Sequence, residues 1–169
     1  MTYRVDIQPA DLIALFDLRG DAQSLPDLLE RADLTCPEDV TGIVAAGDAR
    51  VVRTGPRRAL LVAPIEHEQQ WQQKLNRACA DIFANATCVS DMYRGVQISG
   101  ENALDVIAQV TPLNLHEFSA GHGTCTDLFA TSGFLLRDAE RQITLFFEHS
   151  YFDYALERLG RCALRESSG

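Results

Sequence analysis

Lysine is almost missing from this chain of 169 residues: Lys74 is the one lysine among fifteen basic residues, and the other fourteen are arginine. Arginine suits fixed, forked ion pairs better than charge-switching modification, but genome base composition produces the same bias, so no function is read from it. Basic charge is short as well, fifteen residues against twenty-four acidic ones, for a net charge of −9 at pH 7. That balance repels phosphate backbones and anionic headgroups, which speaks against nucleic acid as a partner. No apolar run approaches the ~20 residues that span a bilayer, and Met1-Thr2-Tyr3-Arg4-Val5-Asp6 lacks the basic-then-apolar order of an export signal. Neither membrane insertion nor export is expected. Cysteine is sparse and unpaired in pattern: Cys36, Cys79, Cys88, Cys125 and Cys162 are odd in number and widely spaced, with no C-x-x-C, as in reduced, cytoplasmic chains.

What is present is an ordinary globular mix, 46% apolar and 23% charged, in a length that fills about one domain. Leu12-Ile13-Ala14-Leu15-Phe16 reads as a buried strand closed by the turn Arg19-Gly20-Asp21. A helix is expected next, with Ser24 and Asp27 as a capping pair and Leu25, Leu28, Leu29 and Ala32 on one face. Arg50–Arg53 and Ala59–Ala63 flank Thr54-Gly55-Pro56-Arg57-Arg58 as a hairpin. Trp71, Leu75, Ala78, Cys79, Ile82 and Phe83 recur at helical spacing.

The second half repeats this order. Val96-Gln97-Ile98 is a strand turning at Ser99-Gly100, a helix follows through Ala103, Leu104, Ile107 and Ala108, and strands are expected at Cys125–Ala130, Phe134–Arg137 and Ile143–Phe147. Turns fall at Ser132-Gly133 and Asp138-Ala139-Glu140, and a last helix starts at Ser150, capped with Asp153. Gly20 matches Gly100, and Trp71 answers Tyr151 and Tyr154. The expectation is an α+β fold of mixed or antiparallel sheet with helices on one side, each half close to a ferredoxin-like split unit. The whole of 1–169 is read as one compact body with repeated halves at about 10–85 and 92–165, joined by Asn85–Tyr93.

Candidate chemistry is thin. His116, Glu117, His122 and Cys125 carry metal-binding side chains, but their spacing fits no compact zinc motif. Cys125 with a histidine base has the types for nucleophilic catalysis without a local signature. Ser119-Ala120-Gly121-His122-Gly123-Thr124 lacks the lysine and helix of a phosphate cradle. Glu148-His149 are sequence neighbours that point apart, a poor acid–base pair. Arg57-Arg58 on their turn offer forked donors to a carboxylate or phosphate, with an acidic partner subunit as the functional use, against the plainer reading of a solvated hairpin tip. The cluster Phe146, Phe147, Tyr151, Phe152 and Tyr154 exceeds what one helix face buries, which makes part of it an interface candidate beside its core role. No catalytic, cofactor-binding or metal residue is assigned.

The blocks Arg50–Pro64, Val96–Leu104 and Thr111-Pro112-Leu113-Asn114-Leu115-His116-Glu117-Phe118 resemble the gamma subunits of heterotetrameric sarcosine oxidases. So do Thr126-Asp127-Leu128-Phe129-Ala130, Ser132–Arg137, Ile143–Phe147 and Ser150-Tyr151-Phe152-Asp153-Tyr154 with Leu156. The resemblance covers most of the chain, more closely after residue 90. It implies a short version of the folate-binding aminomethyltransferase fold, in a non-catalytic subunit of an oxidase that demethylates sarcosine or a related N-methyl amino acid. The larger alpha and beta subunits, with a small delta subunit, are the implied partners, and FAD, FMN, NAD and tetrahydrofolate are implied in those partners, with no cofactor on this chain alone. Two other readings stay open: a free-standing folate-dependent aminomethyltransferase-like enzyme using Asp91 or Asp105, and a small binding or regulatory module.

Overall fold

The computed structural model describes residues 3–164; Met1, Thr2 and the final residue of the 92–165 half lie outside them. In chain order the elements are β1 (Asp6–Pro9), β2 (Ile13–Gly20), α1 (Ser24–Arg31), β3 (Ile43–Ala46), β4 (Ala49–Gly55), β5 (Arg58–Pro64), α2 (Glu68–Ala78), β6 (Ala84–Cys88), β7 (Tyr93–Ser99), α3 (Ala103–Ile107), β8 (His122–Leu128), β9 (Thr131–Ala139), β10 (Gln142–Glu148) and α4 (Phe152–Ala163). One-turn 3-10 segments occupy Ile65–His67, Ser90–Met92 and His149–Tyr151. The chain divides into two compact units, Leu12–Ser90 and Met1–Asp11 with Asp91–Gly169.

In the Leu12–Ser90 unit five antiparallel strands lie in the order β3-β4-β5-β2-β6. Side chains alternate across a strand, so Ala14, Phe16 and Leu18 of β2 share one face with Ala59, Leu61 and Ala63 of β5 and Ala49 and Val51 of β4. Onto that face α1 lays Leu25, Leu28, Leu29 and Ala32, and α2 lays Leu75 and Ala78, with Trp71 packed at the margin. Leu15, Val52, Leu60 and Val62, which point to the opposite face, are buried too. These strands therefore read as continuous apolar runs, where a half-exposed sheet would alternate.

The second unit has the order β8-β9-β10-β7-β1, again wholly antiparallel. Val96, Ile98, Leu135, Ile143, Leu145 and Phe147 pack there against Ala103, Val106 and Ile107 of α3 and Phe152, Ala155 and Leu159 of α4. Element for element this is the first unit: strand, helix, three strands, helix, with the three strands placed on the same side of the first. Removing the outer strand, β3 or β8, leaves the ferredoxin-like order, so each unit is that plan with one added edge strand.

The fifth strand breaks the repeat. In one unit it is β6, downstream of α2; in the other it is β1, contributed by the chain's beginning, outside the 10–85 and 92–165 halves. Asn85–Tyr93 is accordingly no simple joining stretch, since Ala84–Cys88 pairs with Phe16–Gly20. Gly20 and Gly100 do occupy equivalent ends of β2 and β7. A Cβ on Gly20 would lie 2.8 Å from the backbone of Leu25, whereas Gly100, at φ +119°, would put one 2.6 Å from the Arg4 carbonyl.

Several local expectations are corrected. The helix through Trp71 ends at Ala78, and Asp81 at φ 61° turns the chain into β6, so Ile82 and Phe83 leave the helical stripe. Counted from the helix starts, Trp71 corresponds to Ala155 and Leu75 to Leu159, so Tyr151 and Tyr154 are not its counterparts. Neither Ser24–Asp27 nor Ser150–Asp153 forms a capping pair: α4 is entered through the 3-10 turn His149–Tyr151, with the backbone path by which Ile65–His67 enters α2. The β8–β9 turn is made by Phe129 and Ala130, at φ 49° and 66°, and Ser132-Gly133 lies inside β9. Both residues fit the two-residue turn in which each central position is left-handed. Phe129 is held there by its amide, which donates to the Val110 carbonyl at 2.9 Å, and by its ring, stacked on Phe147 with centroids 6.2 Å apart.

Ala130 is exposed and strained without such contacts. Ala130→Gly is expected to raise the free energy of unfolding by about 1 kcal/mol, measured by urea denaturation, because glycine carries no penalty at positive φ.

Candidate functional site

At one end of the first unit's sheet, Arg19 sits between Arg58 on β5 and Asn85 on β6. Arg19 and Arg58 would repel each other across the strands, but Asp17 stands two residues back on the same face. Its carboxylate accepts from Arg58 Nε at 2.8 Å on Oδ1 and from a terminal Arg58 nitrogen at 3.0 Å on Oδ2. Oδ2 also takes Arg19 Nε at 3.1 Å and a terminal Arg19 nitrogen at 3.0 Å. With a side chain only 12% exposed, Asp17 is screened from water and organises both guanidiniums through four charge-assisted bonds.

The neighbouring turn closes the corner. Gly55 pairs with Arg58 across the two-residue loop Pro56-Arg57, and the Arg57 carbonyl accepts from Gly20 at 3.2 Å. Asp21 then starts α1: its side chain accepts from the amides of Gln23 at 3.0 Å and Ser24 at 2.7 Å and from the Ser24 hydroxyl at 2.5 Å, while its carbonyl takes the Leu25 amide. Asp21 is thus the working helix cap. The Ser24 hydroxyl, then the two amides, and last the nearby Arg57 charge hold its carboxyl below the ordinary aspartate range.

Arg19, Arg57, Arg58, Asp21, Ile82 and Phe83 are among the residues lining a hollow of about 510 Å³ at this corner. Along β6 the even-numbered Ala84, Ala86 and Cys88 face the core, which turns Asn85 to the face that carries Arg19 and Arg58, and Phe83, one residue ahead of the strand, lines the hollow with them. Phe83 is 87% exposed, forgoing the roughly 1.5–3 kcal/mol that burying such a ring contributes. In the second unit the same register row reads Gln142–Ser99–Asp6 in place of Arg58–Arg19–Asn85, and Gln97 stands where Asp17 does. The fold alone therefore does not demand this ion cluster.

The other sequence candidates are distributed apart. His122 Nδ1 is engaged by the Ser119 hydroxyl at 3.1 Å and the Ala120 carbonyl at 3.2 Å, its ring against Phe118. His116 and Glu117 are exposed, and Cys125 lies in β8 opposite Phe134. Among the described residues no three His, Cys, Asp or Glu side chains are grouped to hold a metal. The Thr111–Phe118 block is fastened by buried Arg137, which donates to the carbonyls of Leu115 at 3.1 Å and Phe118. Burial pushes the thiols of Cys79 and Cys162 up. Glu148 ends β10 and His149 opens an exposed 3-10 turn. Of the aromatic cluster, Phe146, Phe147 and Phe152 are buried, while Tyr151 and Tyr154 are 44% and 48% exposed. Asp91 is exposed, and Asp105 accepts from the Asn102 amide group at 2.8 Å. Arg57 and Arg58 are thus the sequence candidates that gain a setting. Asp17, Arg19 and Phe83 were missed, although Asp17-x-Arg19 inside an apolar strand is a same-face ion pair by period alone.

No family model matches the chain, and no curated protein matches it. Solved structures do. A chain of the heterotetrameric sarcosine oxidase from Corynebacterium sp. U-96, in complex with pyrrole 2-carboxylate, superposes with a TM-score of 0.86 at 18% identity, covering 98% of this chain and 86% of that one. The glycine cleavage system aminomethyltransferase T from Bartonella henselae gives 0.72 at 14% identity, over 98% of this chain but 47% of that protein. The regulatory subunit of aspartate kinase from Thermus thermophilus, ligand free, gives 0.51 at 14% identity over 96% and 99%. The chain has the α+β fold of the aminomethyltransferase-like structures and spans about half the length of the aminomethyltransferase itself.

Two outcomes test the corner. Asp17→Ala should cost about 2–4 kcal/mol in urea unfolding at pH 7, since it leaves two guanidiniums facing each other without their carboxylate. Asp21 has a depressed folded-state pKa, so its stabilising effect is present above the unfolded value near 4 and is lost as pH falls through the lower folded one. The melting-temperature deficit of Asp21→Ala should therefore be full at pH 7 and shrink below pH ~4.

Proposed function

We propose that this chain is a non-catalytic subunit, of the gamma kind, in a heterotetrameric oxidase that demethylates sarcosine or a related N-methyl amino acid. The observation that carries the reading is one of extent. The superposition on the sarcosine oxidase chain runs over 98% of this chain and 86% of that one, so the two are of similar size as well as of one fold. The aminomethyltransferase matches over less than half its length, which favours the subunit over a free-standing transferase. The sequence blocks at Thr111–Phe118, Thr126–Ala130 and Ser150–Tyr154 point the same way.

In this reading the larger alpha and beta subunits, with a small delta subunit, hold FAD, FMN, NAD and tetrahydrofolate, and this chain holds none of them. The assembly works in the cytoplasm. Fold kinship does not assign activity, so the test is of assembly. Affinity capture of the tagged chain from its own cells, with mass spectrometry and a visible spectrum of the eluate, is expected to recover larger subunits together with flavin absorbance. A colourless chain alone, from cells grown on N-methyl amines, overturns the subunit reading.

A further inference from the structure

We propose that the corner formed by Arg19, Arg57, Arg58 and Phe83 is the seat of an acidic segment of a partner polypeptide whose carboxylates are flanked by apolar side chains. The inference rests on the subunit reading for the existence of a partner, and its chemistry on the residues themselves. Three guanidiniums against the two carboxylates of Asp17 and Asp21 leave this corner positive on a chain of net charge −9. Of the two carboxylates, Asp17 is spent on Arg19 and Arg58, and Asp21 on the cap of α1. Asp17 takes the Nε edge of both guanidiniums and holds them side by side with one of their two charges uncompensated, while exposed Arg57 stands on the adjoining turn.

The apolar part of the occupant is set by Phe83. One residue ahead of β6, its ring lines the hollow with the arginines, 87% exposed, beside half-buried Ile82. Aromatic and arginine side chains together are the composition of interface hot spots. A hollow of about 510 Å³ has the scale of a few side chains, which suits an inserted segment better than a flat surface. The repeat sets the limit of the comparison: Arg141 stands in the other unit where Arg57 does, beside the Arg4–Glu101 ion pair, but its row Gln142–Ser99–Asp6 with Gln97 behind it has neither the paired guanidiniums on a shared carboxylate nor an exposed ring.

The experiment is a fluorescence-anisotropy titration of a fluorescein-labelled peptide of alternating glutamate and leucine with the full-length chain. Saturable binding is expected, weakened at least about tenfold by Arg57→Glu and severalfold by Phe83→Ala, and weakened again between about 50 and 300 mM salt. Both side chains are exposed, so circular dichroism should match the parent chain, with the melting temperature lowered only slightly by the lost Arg57–Asp21 attraction. Absence of binding, or binding that neither substitution changes, overturns the proposal. Full displacement of the peptide by millimolar inorganic phosphate makes the corner a small-anion site and overturns it as well.

Affinity capture with the Arg57→Glu/Phe83→Ala double variant separates this inference from the subunit reading. If the parent chain captures large flavin-bearing subunits and the double variant captures them equally, the corner assignment falls and the subunit reading stands. If the peptide binds at the corner but no such subunits are captured, the subunit reading falls and the corner assignment stands.

Discussion

Each unit depends on an interior strand hydrogen-bonded along both edges, β2 between β5 and β6 and β7 between β10 and β1. Such a strand has no free backbone to give to water, and its side chains are committed in turn to one face or the other. Shifting either register by one residue would exchange every core side chain for an outward one. In β2 both faces are buried through most of the length, so the strand tolerates few polar groups, and any charge in it must bring its partner. Asp17 meets that condition with Arg19 from its own strand and Arg58 from the next. The arginine corner is thus a consequence of where β2 runs as well as of what it contains.

The two units show which parts of this plan are obligatory. Strand order, the helix-bearing face, the 3-10 step before the second helix and the glycine that ends β2 or β7 recur in both. The source of the fifth strand does not, because an edge strand needs only to present backbone donors and acceptors in register, and β1 from upstream satisfies β7 as well as β6 from downstream satisfies β2. The Asp17–Arg19–Arg58 cluster does not recur either, its places being held by Gln97, Ser99 and Gln142. Arg57 has its counterpart in Arg141, so what the fold leaves unexplained is the pairing of Arg19 and Arg58 on Asp17 and the exposed ring of Phe83 beside them.

Much of the architecture was legible in the residues. Apolar runs marked β2 and β5, and the Gly55-Pro56 turn marked β4 as the hairpin partner of β5, because periodicity and turn chemistry are local properties. Segments of four or five residues such as β3 and β6 carry too few alternations to declare themselves. The apolar spacing through Ile82 and Phe83 continued the helical rhythm although the helix had stopped at Ala78, since nothing in that rhythm records the left-handed step at Asp81. Capping followed the same limit: Ser24 has the right side chain, but Asp21 takes the position because the turn after Gly20 brings its carboxylate onto the amides first.

By itself the sequence determined the fold class, the acidic balance and the pair Arg57-Arg58 on a turn, all of which rest on composition or on residues within one turn or strand. Only the tertiary structure decided that β1 completes the distant sheet, that Arg58 meets Asp17 across forty-one positions, and that Phe83 stands exposed beside them. These follow from strand register, which relates residues far apart in the chain through backbone hydrogen bonds that no side-chain pattern spells out.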